Sequence, residues 1–161
     1  MVPPTGIPAR LYLEDLEIGQ QFTSDRHRID QDQILAFADQ FDPQPFHTDP
    51  EAAKSTFFQG LAASGWHTAA ITMRLLVLRG LPIAGGLIGA GGEIAWPRPT
   101  RPGDELHVVS EIVEIKPSRS RPDRGMVTFK SETLNQDGDV VQRLVSKLVV
   151  PRREVRELPR G

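Results

Sequence analysis

With 161 residues, 19 Lys and Arg against 21 Asp and Glu, and a net charge of −2, the chain is expected to form one domain with a sizeable core. The two signs of charge are interspersed and leave no electrostatic footprint for nucleic acid. The absence of cysteine excludes disulfides, thiolate metal sites and a cysteine nucleophile together.

Residues 1–15, which begin Met1-Val2-Pro3-Pro4-Thr5-Gly6, are expected to form an irregular arm because proline and glycine punctuate them. They lack the basic-then-apolar layout of a signal peptide, so a cytoplasmic protein is the expectation. Within 17–29, Ile18, Phe22 and Ile29 allow a first strand. Asp30 then opens a helix. Asp30 and Gln33 have the spacing of a capping box, and Ile29 and Ile34 that of a hydrophobic staple. This helix should run through Phe37 and stop before Asp42-Pro43. Asp49-Pro50-Glu51 marks a second start, with an N-cap Asp, proline at the first helical position and an acid in the first turn. That short helix should cover 50–56 and lead into a linker, Phe57-Phe58-Gln59-Gly60.

Gly65 to Leu78 reads as the strongest helix, apolar almost all round from Trp66 through Ile71 and Leu75 to Leu78. Such a helix is buried inside a protein. Arg74 interrupts it, so no apolar run is long enough to span a bilayer. Everything beyond reads as β: strands over 87–96, 105–115, 126–134 and 140–150 follow at hairpin spacing, with Asp137-Gly138 as a turn. Gly89, Gly91 and Gly92 precede a strand, and no P-loop lysine follows them. They read as a strand start that passes close to the central helix. Residues 151–161 read as a charged tail. The order predicts an α+β fold over 16–150, an antiparallel sheet wrapped around one long hydrophobic helix. One sheet covers only one face of such a helix, so a homodimer or a dimer-based oligomer is expected.

The chemistry concentrates in Asp42-Pro43-Gln44-Pro45-Phe46-His47. Proline fixes its own φ and disfavours helix in the residue before it, pushing Asp42 and Gln44 towards extended geometry. A stiff segment with a carboxylate and an imidazole five residues apart can present both to one water, each giving or taking a proton. The plain alternative is a turn capped by Asp42, with His47 a satisfied, partly buried histidine. His47, Asp49 and His67 lack a ligand spacing, and no metal is expected. Arg98, Arg101, Arg119, Arg121 and Arg124 suit phosphate chemically but read as ordinary exposed arginines.

The segment Phe37-Ala38-Asp39-Gln40-Phe41-Asp42-Pro43-Gln44-Pro45-Phe46-His47-Thr48-Asp49-Pro50-Glu51-Ala52-Ala53 resembles the hydratase motif of MaoC-like (R)-specific enoyl-CoA hydratases. That motif has a catalytic Asp, an Asn-Pro pair, a catalytic His five residues after the Asp, then an acid and an Ala. Leu61-Ala62-Ala63-Ser64-Gly65 is similar to the family's approach to the central helix of a hot dog fold. Trp96-Pro97-Arg98-Pro99-Thr100-Arg101-Pro102-Gly103-Asp104-Glu105-Leu106 is similar to its aromatic-x-x-Pro-x-x-x-Gly-Asp-x-Leu link between strands. The resemblance runs from about Leu16 to Val150.

The resemblance implies a single hot dog domain that adds water to a trans-2-enoyl-CoA to give the (R)-3-hydroxyacyl-CoA, or runs the reverse dehydration. It implies Asp42 and His47 as the catalytic pair and the backbone N–H of Gly65 as donor to the thioester oxygen. Ser64, Gln44 and Phe41 would lie on the substrate side. The CoA thioester is then a small-molecule substrate, and no cofactor is required. This chain departs from the family's pattern in three places. Gln40-Phe41 stands where Ser-Gly is common, and the bulk of Phe41 would reshape the acyl pocket; Gln44 stands for the usual Asn; Thr72 is the nearest counterpart of a helper hydroxyl on the central helix. Two other functions fit the same fold. An acyl-CoA thioesterase of this kind generally places a carboxylate on the central helix, and Gly65 to Leu78 contains none. A non-catalytic subunit that binds acyl thioesters is the other.

Overall fold

In the computed structural model, which describes residues 10–154, a 3-10 turn (Leu13–Asp15) leads into two short strands, β1 (Gln21–Thr23) and β2 (His27–Arg28). Helices α1 (Gln31–Phe41), α2 (Pro45–Thr48), α3 (Pro50–Ala53) and α4 (Gly65–Leu75) follow, and a π turn (Leu76–Gly80) continues α4. Strands β3 (Ile88–Ala95), β4 (Glu105–Pro117), β5 (Arg124–Leu134) and β6 (Val140–Pro151) complete the fold. The strands pair antiparallel in the order β1-β4-β5-β6-β3, with β2 also on β4.

Alternation decides which face of the sheet is covered. In β4, Leu106, Val108, Ser110 and Ile112 are buried while the residues between them are partly exposed, the period-2 pattern of a half-covered strand. Val127 and Phe129 of β5 and Val141, Leu148 and Val150 of β6 join the same core. α4 contributes Ile71 and Leu75 to it. A sheet closed on one hydrophobic helix is the hot dog arrangement that the sequence resemblance implies.

Several local expectations change. Of the segment read as an arm, residues 1–9 lie outside the described residues, and the rest belongs to the domain. Leu13 and Leu16, three apart across one turn, both enter the core, and Leu11 bridges to Ile83. Residues 155–161 of the tail also lie outside the described residues, while Arg152 and Arg153 reach back to Glu14 and Asp15. Asp30 caps α1 by accepting the N–H of Gln33 at 2.8 Å, but the Gln33 side chain turns to His27 at 3.0 Å, so only half of the capping box forms. The staple residues Ile29 and Ile34 are fully buried. α3 ends at Ala53, three residues short of the expected end.

Two corrections concern the central helix. Although α4 is apolar almost all round, only one face is buried in this chain: Trp66, Met73 and Val77 are exposed. The glycines of β3 do not make way for that helix. A Cβ on Gly92 would lie 2.2 Å from the carbonyl oxygen of Val145, so the close neighbour is β6. Gly91, at φ 143°, allows the bulge that resets the pairing beside it.

Candidate active site

Asp42 terminates α1. Its N–H still donates to Ala38 O at 2.9 Å, but its own φ and ψ of −152° and 67° leave the helix, because Pro43 follows. Gln44 is extended, as expected before proline, and Pro45 then occupies the first position of α2. His47 therefore sits in a helical turn, a correction to the picture of an extended segment. The turn brings Nε2 of His47 to 3.4 Å from Oδ2 of Asp42.

Each group is held by its other atoms. His47 Nδ1–H donates to Ala62 O at 2.6 Å. A carbonyl can only accept, so Nδ1 carries a proton and Nε2 is the atom turned to the carboxylate. Asp42 Oδ1 accepts from Gln44 Nε2 at 2.6 Å, and Oδ2 accepts from the Ser64 hydroxyl at 2.7 Å. Burial raises the Asp42 pKa, but the bonds from Gln44 and Ser64 and the neighbouring His47 outweigh it and hold the carboxyl below its ordinary value. Asp42 is thus ionised at neutral pH. Both side chains are largely buried.

Ser64 is the N-cap residue of α4, yet its hydroxyl serves Asp42 rather than the helix. The N–H groups of Gly65 and Trp66 stand ahead of the first helical hydrogen bonds, which run from His67 and Thr68 to Ser64 O. The positive end of the helix dipole thus opens beside the pair. Asp42, His47 and Gly65 line one cleft of about 450 Å³, together with Phe58, Thr68, Trp96 and Arg98.

The structure brings together five of the six residues singled out in the sequence: Asp42, His47, Gln44, Ser64 and Gly65. Phe41 is the exception. It is 64% exposed, packs on Phe37 with ring centroids 5.2 Å apart and does not line the cleft. Asp42 turns the chain immediately after it, which separates the two side chains. Thr72 is also corrected as a helper hydroxyl: it is buried beneath α4 and bonds to Thr68 O, Thr133 and Gln142. His67 stacks on Phe37, its ring at 4.5 Å and 5°, apart from the Asp42–His47 pair. Among the described residues no group of three or more His, Cys, Asp or Glu is placed to hold a metal.

Other side chains gain meaning only in three dimensions. Phe58, read as linker, lies beside His47 and Phe46. Arg101 is structural and donates to the carbonyls of Phe58, Gly60 and Leu61. Arg124 pairs with Asp123. Of the arginines weighed for phosphate, Arg98 lines the cleft. The aromatic that opens the strand link, Trp96, forms a wall of the site.

Comparison with known proteins agrees with this fold. Residues 15–134 match the family described as MaoC like domain. A MaoC-like dehydratase structure from Rhodospirillum rubrum is 63% identical, with a TM-score of 0.89 over 90% of this chain and 99% of that one. The (R)-hydratase PhaJ1 from Pseudomonas aeruginosa, in its unliganded form, is 26% identical, with a TM-score of 0.71 over 94% and 96%. The Bacillus subtilis (strain 168) protein YdeM is 35% identical over 127 residues, 77% of this chain and 87% of that protein. A family match from the first turn of the fold to the end of β5 leads to one conclusion: the chain belongs to the MaoC-like domain family.

Proposed function

We propose that the protein hydrates a trans-2-enoyl-CoA to the (R)-3-hydroxyacyl-CoA, or runs the reverse dehydration. The observation that carries this reading is the facing of His47 Nε2 and Asp42 Oδ2 across 3.4 Å while Nδ1 and Oδ1 are tied to the protein. Two acceptors set so close repel unless hydrogen lies between them, and a water supplies it to both. As the water oxygen bonds to C3 of the substrate, the pair takes one of its protons and the double-bond electrons move to the thioester oxygen. The pair then returns that proton to C2. One O–H bond breaks, C3–O and C2–H form on the same face, and the pair ends as it began. Positioned acid–base groups of this kind contribute roughly 10²–10⁴-fold. The Gly65 N–H at the positive end of α4 meets the enolate charge, and one such donor contributes about 2.7–4 kcal/mol.

We also infer that two copies associate. β3 pairs with β6 on one edge, and its other edge has no strand partner among the described residues. Near it lies an apolar stripe, Trp66 and Met73 of α4 and Val77 of the π turn, with Trp66 packed on Trp96 just past the end of β3. An open edge next to an apolar stripe is a template for pairing, and a second copy offers the same two features around a two-fold axis.

Incubation with crotonyl-CoA and with butyryl-CoA tests the reaction class. Loss of enone absorbance supports the hydratase. Release of free thiol from either thioester contradicts it and supports a thioesterase, and binding without turnover supports a non-catalytic subunit.

A further inference from the structure

Trp96 takes no part in the acid–base pair, yet its indole is fixed from three sides, one of them the ring of Trp66, which meets it edge-on at 5.2 Å. A Cβ built on Gly65 would lie 2.7–2.9 Å from Cε2, Cδ2 and Cζ2 of the ring, so the indole rests directly on Gly65, which lines the same cleft at the first position of α4. Its Nε1–H donates to Gln142 Oε1 at 2.9 Å. Because an indole N–H can only donate, this bond fixes the orientation of the amide, and Gln142 Nε2 donates to Thr72 Oγ1 at 3.1 Å. The one hydroxyl proton of Thr72 goes to Thr68 O at 2.9 Å, which leaves Thr72 to accept from Gln142 and from Thr133 at 2.6 Å. Every donor and acceptor direction in this chain is therefore determined. Gln142, Thr72 and Thr133 are all fully or almost fully buried. An uncharged amide under a hydrophobic helix is costly unless its bonds are complete, and here the last of them reaches the wall of the cleft.

We propose that Gln142 is a positioning residue that acts through Trp96: the buried chain Thr133–Thr72–Gln142 holds the indole flat against the Gly65 peptide, and the indole holds the thioester so that its oxygen stays on the Gly65 N–H. This rests on the hydratase reading of the cleft. Gln142 touches no substrate. Its effect reaches the reaction only by way of the ring.

A double-mutant cycle on crotonyl-CoA hydration tests this, with wild type, Gln142→Met, Trp96→Phe and the double variant. Methionine keeps the volume of glutamine and removes the acceptor. Gln142→Met is expected to lower kcat roughly 10-fold, as misplacement of a reacting group does, while KM changes less. In the Trp96→Phe background the same change should have almost no further effect, because the N–H it served is already gone. Independent, multiplying losses overturn the proposal. A second readout does not need turnover. The chain has two tryptophans, so Trp66→Phe leaves Trp96 as the sole emitter. Its emission should move to the red on Gln142→Met, and its quenching by butyryl-CoA should weaken. Unchanged emission and quenching overturn the proposal. If wild type fails to hydrate crotonyl-CoA but emission still responds to Gln142→Met, the coupling stands and the hydratase reading falls.

Discussion

His67 should make the protein acid-sensitive in a way that one substitution removes. Its ring is 7% exposed, stacked on Phe37, and its Nδ1 has no hydrogen-bond partner. Burial, with a smaller contribution from nearby His27, lowers its pKa from 6.5 to about 4. The folded state thus refuses a proton that the unfolded chain accepts below pH 6.5, and stability falls as pH drops from there towards 4. With these two constants the loss between pH 7 and pH 5 is about 2 kcal/mol, tending to about 3 kcal/mol at lower pH. For a domain of this size 2 kcal/mol corresponds to about 4–8 °C in Tm. His67→Phe keeps an aromatic ring on Phe37 and removes the titrating nitrogen. Urea unfolding of both proteins at pH 7 and pH 5 should show wild type losing about 2 kcal/mol more than the variant. His107, whose pKa burial also lowers, acts equally in both proteins and cancels. Equal losses in the two proteins would refute the reasoning.

Gly65→Ala should cost about 10²-fold in kcat, because its methyl would meet the Trp96 ring at 2.7 Å and displace either the wall or the donor peptide; steady-state kinetics on crotonyl-CoA checks this. Ser64→Ala removes the hydroxyl that accompanies Gln44 in holding the Asp42 carboxyl below its ordinary value. The Asp42 pKa should rise, so the acid limb of the pH–kcat profile should move to higher pH, and an unmoved limb contradicts the assignment. Met73→Glu places a charge in the exposed stripe of α4. Light scattering should then report a dimer for wild type and a monomer for the variant, and an equal mass for the two contradicts this contact.

Much of the fold was legible because the signals were local. Pro43 announces the end of α1, and the alternation in Leu106, Val108, Ser110 and Ile112 announces β4. The Asp42–His47 pair was legible for the same reason, being set by six consecutive residues. Local spacing failed where a side chain chooses among distant partners. Gln33 has the spacing of a capping box but bonds to His27, and Phe41 adjoins Asp42 in sequence but packs on Phe37 away from the cleft. Thr72 lies a turn or two along α4, where a helper hydroxyl would stand, yet its face of the helix looks into the core. The Trp96–Gln142 bond joins residues 46 apart in sequence, and no period or motif marks it. Periodicity also overstated the burial of α4, because it cannot tell which face of an apolar helix this chain's own sheet covers.

The central claim is that Asp42 and His47 act together on one water. Hydration of crotonyl-CoA, followed as loss of enone absorbance, tests it in wild type, Asp42→Asn and His47→Ala, with circular dichroism confirming that each variant keeps its fold. Turnover by wild type and a loss of at least about 10² in kcat in each variant is the predicted result. Unchanged turnover in either variant would contradict it.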